Sequence, residues 1–375
     1  MITWGSGTVV SLGTAWTGAR ELRVRVDDGD EVRALAYPEL VGEPAVGERV
    51  LLNVTAQARA LGTGGYALVV ARPDGPPPAP VGGPGHLVKA RYTPLQAMVL
   101  GVDEQESPHH DLLRDADDLD GLPVVVADLH SAVPAIIAGA RLAADRAGRP
   151  APRVVYVMTD GGALPAWFSR TVAGLRDAAW VEACVTVGQA FGGDLEAVTL
   201  HTGLLAARLV CGADLAVVAQ GPGNLGTGTR WGFSGVAAGE AVNAAAVLGG
   251  RPIASLRVSG ADARPRHQGV SHHSLTAYGR VALSAADVVV PIDDPRGPST
   301  GRTDLLRTVH EQAAALCRPR GPHRLVEVPT GSALRAALEA CPVRLSTMGR
   351  GLDGDPEAFL AAGAAGLHAA ALAAG

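Results

Sequence analysis

Hydrophobic and polar positions follow two rhythms, and the change between them divides the chain. Through residue 72, short β-branched runs at 7–12, 21–26, 32–37, 49–54 and 66–71 are separated by turn-forming clusters such as Asp27, Asp28, Gly29 and Asp30. Short strands at this spacing predict a small all-β domain, a barrel or a rolled sheet. Residues 73–85 are dominated by Pro and Gly and read as a semi-rigid linker. From residue 86 to 375 the rhythm lengthens. Apolar runs at 124–127, 154–158, 183–187, 215–219, 253–258, 288–292 and 325–328 alternate with helix-length segments at 135–146, 166–178, 195–209, 235–248, 274–283, 305–316 and 332–339. Strands that are apolar throughout must be covered on both faces, as in a mostly parallel sheet between two helix layers. The predicted fold is α/β: a doubly wound, Rossmann-like, mostly parallel sheet preceded by a small all-β barrel-like domain.

Composition narrows the class. The 375 residues are 47% hydrophobic and 18% charged, enough apolar material for a large core. A net charge of -5 argues against a nucleic-acid partner. Only Trp4, Trp16, Tyr37 and Tyr66 could stack bases in the small barrel, and the basic residues do not cluster. Cys184, Cys211, Cys317 and Cys341 form no C-x-x-C pair and predict free thiols in a reducing compartment. The start of the chain lacks the charged-then-apolar profile of a secretory signal. No stretch approaches the roughly 20 apolar residues of a membrane span, the Ala-rich end at 361–375 being short and carrying His368. A cytoplasmic protein without a membrane partner is expected, and a homo-oligomer is compatible with the sequence. Arginine supplies 31 of the 32 basic side chains, so the lone Lys89 stands out as a site ammonium, expected near an acidic or anionic group.

Candidate chemistry lies in polar loops that follow the predicted strands, where open α/β sheets bind ligands. Gly221, Gly223 and Gly226 match G-x-G-x-x-G formally, but Pro222 interrupts the motif and no acid stands about 20 residues on. That argues against NAD, and no flavin motif is present. Gly223, Asn224, Gly226, Thr227, Thr229 and Arg230 can still wrap backbone N–H groups around an anion. The segment from Asp262 to His273 supplies Asp262, Arg264, Arg266, His267, His272 and His273. Ser271 is its predicted helix N-cap, with His272 and His273 in the first turn. A divalent metal held by these histidines with Asp262 is one reading, although the spacing matches no specified zinc motif; a hydrogen-bonded structural loop is the plain one.

Glu240 and Asn243 sit on a segment apolar on every face, so Glu240 is expected to be buried and able to orient a histidine. Asp194 and Glu196 are expected to open a helix after Gly192 and Gly193. Asp128, His130 and Asp160 follow strands and should wall the same crevice.

The segment HLVKARYTPLQ from His86 to Gln96, YVMTDG from Tyr156 to Gly161, and Ser271 with His272 and His273 resemble a bacterial family catalogued as domain of unknown function 3866. The resemblance implies that Lys89 belongs to a motif, and nothing about activity. The residues themselves predict an enzyme, a hydrolase or group transferase, acting on a small anionic metabolite of phosphorylated or nucleotide-like kind. The Gly221–Arg230 loop, Arg264 and Arg266 would hold the anion, one of the three histidines would move a proton, and Asp262 or Glu240 would orient it. The alternative is a non-catalytic sensor that binds its metabolite in the same crevice and reports through the N-terminal module.

Overall fold

The computed structural model describes residues 1–59, 61, 64–75, 77, 83–295, 302–317 and 323–373, so residues 76 and 78–82 of the expected linker lie outside the described residues. Two units are formed, Met1–Leu100 with Trp167–Ala173, and Gly101–Ala166 with Gly174–Gly375.

In the first unit, β1 (Trp4–Trp16), β2 (Ala19–Val26), β3 (Glu31–Ala36), β4 (Arg49–Asn53) and β5 (Ala67–Ala71) close into a barrel of order β1-β2-β3-β5-β4. Alternate residues face inward, as a pleated strand requires: Leu22 with Val24, Ala34 with Ala36, Val50 with Leu52 and Ala67 with Val69. Two single helical turns, α1 (Pro38–Val41) and α2 (Thr55–Ala58), link its strands, and β6 (Leu87–Lys89) pairs with β7 (Ala97–Val99) as a hairpin. Tyr37 and Tyr66 are buried, and Trp16 donates its indole N–H to the Trp167 carbonyl at 2.7 Å. Of the four aromatics considered for base stacking, only Trp4 is exposed.

In chain order, the remaining elements are α3 (His110–Leu113), β8 (Pro123–Ala127), α4 (Val133–Arg146), β9 (Val154–Thr159), α5 (Arg170–Asp177), β10 (Ala183–Thr186), β11 (Leu195–Glu196), α6 (Leu200–Leu205), β12 (Leu215–Gln220), α7 (Ala237–Val247) and β13 (Arg251–Ser255). They continue with β14 (Val258–Ser259), β15 (Gly269–Val270), α8 (His272–Thr276), β16 (Asp287–Asp293), α9 (Thr303–Leu316), β17 (Arg324–Thr330), α10 (Ser332–Glu339) and α11 (Pro356–Leu372). Eight strands form one parallel sheet of order β11-β10-β9-β12-β8-β13-β16-β17. The chain leaves β8 in one direction, towards β9, and later crosses from β12 to β13 in the other. Helices α4, α10 and α11 pack together on one face, and α6, α7, α8 and α9 share the core of the other. The loops after β8 and its neighbours therefore part, which opens a crevice at the carboxyl ends of these strands.

Two expected helices are differently placed. Residues 195–209 do not form one helix: Leu195 and Glu196 add a short strand beside β10. The Glu196 carboxylate pins it there, accepting from Thr186 Oγ1 at 2.8 Å and from the Gly192 N–H at 2.6 Å. The helix starts at Leu200, capped by Thr199, and Ala206–Val210 continues it as a π turn. α8 starts at His272, as the Ser271 cap requires and two residues ahead of the apolar run at 274–283, and Ala277–Val281 follows it as a second π turn.

The Ala-rich end of the chain forms α11, apolar on nearly every face because it lies against both the sheet and α4. Among the described residues no helix is long and apolar enough to cross a membrane. The α4–α11 contact depends on glycine. A Cβ on Gly139 would overlap the Gly363 carbonyl, and one on Gly366 would overlap the Ile136 carbonyl. Gly366→Ala should therefore lower stability by about 2 kcal/mol despite better helix propensity, because backbone on backbone cannot give way. Urea unfolding with a lower midpoint and an unchanged slope is the expected result.

Candidate functional site

Asp128 immediately follows β8 and is 3% exposed. A narrow crevice is lined by Asp128, Ser131, Ser255, Arg257, Arg350 and Asp355, among others. A second, smaller one lies towards β12 and shares Asp128 with Gln220 and Ser234. Burial lifts the Asp128 carboxyl from 3.8 to about 6, with Arg257 partly opposing the rise. Its Oδ2 has no hydrogen-bond partner. Among the described residues the other buried side-chain polar atoms left without a partner are Gln220 Oε1, Ser255 Oγ and His272 Nε2. All four sit where β8, β12 and β13 end or where α8 begins. Native interiors leave few such groups, so their concentration in one place calls for a ligand, an ion or water.

Arg257 follows β13 and builds the entrance to α8. Its N–H donates to Ser274 Oγ at 2.9 Å, and its carbonyl accepts from the Ser271 N–H at 2.8 Å. The half-buried guanidinium makes one hydrogen bond among the described residues, to His273 Nδ1 at 3.2 Å. A guanidinium only donates, so Nδ1 accepts and the neutral ring carries its hydrogen on Nε2. Phe233 stacks on that ring, 3.9 Å between centroids and 1° from parallel. Ser271 caps α8 as expected, accepting from the His273 N–H, and its Oγ lies 2.8 Å from His267 Nδ1. The rings of His267, His272 and His273 lie 4.3–5.1 Å apart by centroid. Burial first, then the Arg257 charge, lowers His267 to about 4 and His273 to about 3. His272 is lowered by burial and then by Arg266. All three are neutral at pH 7.

Most of the other charges are paired. Arg264 grips Asp262 through Nε and Nη2, at 2.9 and 2.8 Å, and holds that carboxyl far below the usual range. Arg350 reaches Asp262 at 3.4 Å and Asp355 at 3.0 Å. Asp355 is fully buried and also accepts from Ser259 Oγ at 2.6 Å and the Gly260 N–H at 3.1 Å. These contacts correct the expectation for Asp262, which orients no histidine: its carboxylate is occupied by arginines. Arg264 is correspondingly engaged, whereas Arg266 is exposed and acts on His272 through its field.

Other expected residues fall elsewhere. Glu240 is exposed rather than buried, because the face of α7 that carries it is turned to solvent; its neighbour Asn243 ties down the end of α8's π turn through Val281, Leu283 and Ser284. Asp194 lies at the opposite, amino edge of the sheet, bonded to the Cys184 N–H and Arg176. Glu196 is a buried strand anchor. Asp160 is at the carboxyl edge but exposed, accepting from the Gln189 N–H. His130 faces the buried Tyr156 hydroxyl at 3.0 Å, and burial lowers it to about 4.

The glycine-rich loop closes on itself. Gly226 bridges to Phe233, and Thr227 and Thr229 bond each other and Gly232. Asn224 accepts from Gln220 Nε2 and Ser234 Oγ. Gly223 and Arg230 are exposed at its surface, so the loop is a small hairpin whose polar side chains are largely satisfied internally rather than an open anion cradle. Lys89 belongs to the first unit, buried at 2% exposure on β6.

Arg257, Ser255, Gln220, Arg350 and Asp355 are the residues that sequence patterns passed over. Arg257 had a signal: it is the one charge inside the apolar run 253–258. Asp355 before Pro356 had another, the start of a helix.

Residues 33–366 match the family described as Protein of unknown function (DUF3866), and the chain belongs to that family. No curated protein matches it.

The paired and unpaired arginines should separate on substitution. Arg350→Met leaves the buried Asp355 and Asp262 short of a cation and should cost about 3 kcal/mol of stability. Arg266→Gln, at an exposed position, should change stability by less than about 0.5 kcal/mol. Chemical denaturation of the two variants beside the parent protein checks both values.

Proposed function

We propose that this member of the DUF3866 family is an enzyme that moves a proton on a small anionic metabolite, in hydrolysis or group transfer, at the carboxyl ends of β8 and β13. The observation that carries the reading is one juxtaposition: Arg257, with most of its donors unengaged, and Asp128, with Oδ2 unpartnered, line the same crevice. A planar guanidinium matches a carboxylate or phosphate edge through two parallel hydrogen bonds. The Ser255 hydroxyl, which has no protein partner, supplies a further contact. A carboxyl held near 6 is suited to exchanging a proton close to neutral pH.

Asp128 lies within electrostatic reach of Arg257 and of the buried Tyr278. An anion bound to Arg257 screens the one cation that favours the carboxylate, so the Asp128 pKa rises further on binding. Binding between pH 6.5 and 7.5 should then take up a fraction of a proton, read by calorimetry in buffers of different ionisation enthalpy. Asp128→Asn should abolish the uptake, and Arg257→Gln should weaken binding about tenfold or more. A metabolite that binds tightly and is recovered unchanged after long incubation would overturn catalysis and leave a sensor.

The same group sets a stability profile. A folded pKa of about 6 against 3.8 means that the native state holds the proton more tightly than the unfolded chain. Stability from Asp128 is therefore fully present below about pH 4 and lost as pH rises through 6. Asp128→Asn should gain on the order of 3 kcal/mol at pH 8 and nothing at pH 4. Parallel denaturation curves at the two pH values test this.

A further inference from the structure

We infer that His267, His272 and His273 form a binding site for one divalent transition-metal ion of the zinc or cobalt kind. Each ring offers a nitrogen, and the three nitrogens lie within 4.8 Å of one another. In a tetrahedral shell with metal–nitrogen bonds near 2.0–2.1 Å, ligand atoms stand about 3.3 Å apart. Side-chain rotation of three neighbouring rings closes a difference of that size. Consecutive helical side chains diverge by about 100°, yet here both histidines meet a third. The Pro265–His267 turn and the β14–β15 ribbon bring His267 back against them, 4.9 Å from His272 and 5.1 Å from His273.

Two features support a metal over a plain imidazole stack. His272 Nε2 is buried without a partner, although a neutral ring nitrogen in such a place ordinarily has one. Ser271 Oγ stands 2.8 Å from His267 Nδ1; a hydrogen bond donated from that nitrogen leaves Nε2 as the ligand, as an outer partner does at histidine metal sites. An all-imidazole set suits zinc, cobalt, nickel or copper rather than magnesium or calcium. Three protein ligands leave a position for water or substrate.

The arginines set the conditions. Arg264 and Arg350 are bonded to Asp262 and Asp355, while Arg257 and Arg266 are bonded to no carboxylate among the described residues and oppose a dication. Arg257 is also coupled chemically. It donates to His273 Nδ1. Ligation through Nδ1 removes that lone pair, and ligation through Nε2 places the hydrogen on Nδ1. Either way the metal breaks the contact and frees Arg257. The metal site stands without the anion reading above. The coupling rests on it: an anion on Arg257 should favour the metal, and the metal should favour the anion by the same factor.

The test uses the full chain, freed of metal by chelator and titrated with cobalt alone, then with cobalt and sulfate. One equivalent of cobalt should bind with visible d–d bands of a nitrogen-ligated ion, and zinc should displace it. His272→Ala and His267→Ala should each lose the bands while keeping the thermal midpoint of the metal-free parent. Sulfate should tighten cobalt binding several-fold in the parent. Arg257→Gln should bind cobalt more tightly than the parent without sulfate, and be indifferent to sulfate. A parent that shows no saturable band, or a folded His272→Ala that keeps it, overturns the metal site; the parent titration decides even if a variant fails to fold. Stoichiometric cobalt without any sulfate effect upholds the metal site and overturns the anion reading at Arg257.

Discussion

One run of charges, Arg264–Asp262–Arg350–Asp355, holds the site together. It joins the loop after β13 to the residue that opens α11. Asp262 and Asp355 are buried, and removing either arginine would strand a carboxylate at a cost well above that of a surface pair. The run therefore fixes one wall of the crevice against the other. α11 is fixed in turn by its glycine contact with α4, the helix that leaves β8. The ends of β8 and β13 and the start of α11 thus share one rigid frame.

Pairing in that frame determines what remains for a ligand. Once Arg264 and Arg350 are bound to carboxylates, Arg257 and Arg266 are the nearby cations that are not. Desolvation then acts in opposite senses on acids and bases. It raises Asp128 and lowers the three imidazoles, so both kinds of group approach their neutral forms near pH 7. Asp128 becomes able to exchange a proton, and the histidines offer lone pairs. The topology explains why this happens at β8: the connections that leave β8 and β12 run in opposite directions along the sheet, which opens the crevice at the strand ends.

Most of the fold was legible. Continuous apolar runs announced the parallel sheet, and short alternating runs announced the barrel, because burial on two faces or one leaves a direct mark on the pattern. The cap at Ser271 was also legible, since short-range chemistry decides it, whereas the convergence of His267 on His272 and His273 depends on the β14–β15 ribbon. Glu240 misled because α7 is so rich in Ala that hydropathy alone could not tell its solvent face from its buried one. Asp194 misled because a two-residue strand after Gly193 reversed which edge it reached.

The sequence by itself determined which segments are strands and helices, where the two rhythms meet, and that the loop from Asp262 to His273 concentrates reactive groups. All of that is encoded locally, in periodicity, caps and composition. Tertiary structure decided which charges are paired. Asp262 lies two residues from Arg264 but 88 from Arg350, and Asp355 meets Ser259 across 96 residues. Pairing over such separations depends on strand order and helix packing, which no local pattern records. It leaves Arg257 and Asp128 unpaired and makes their crevice the candidate site.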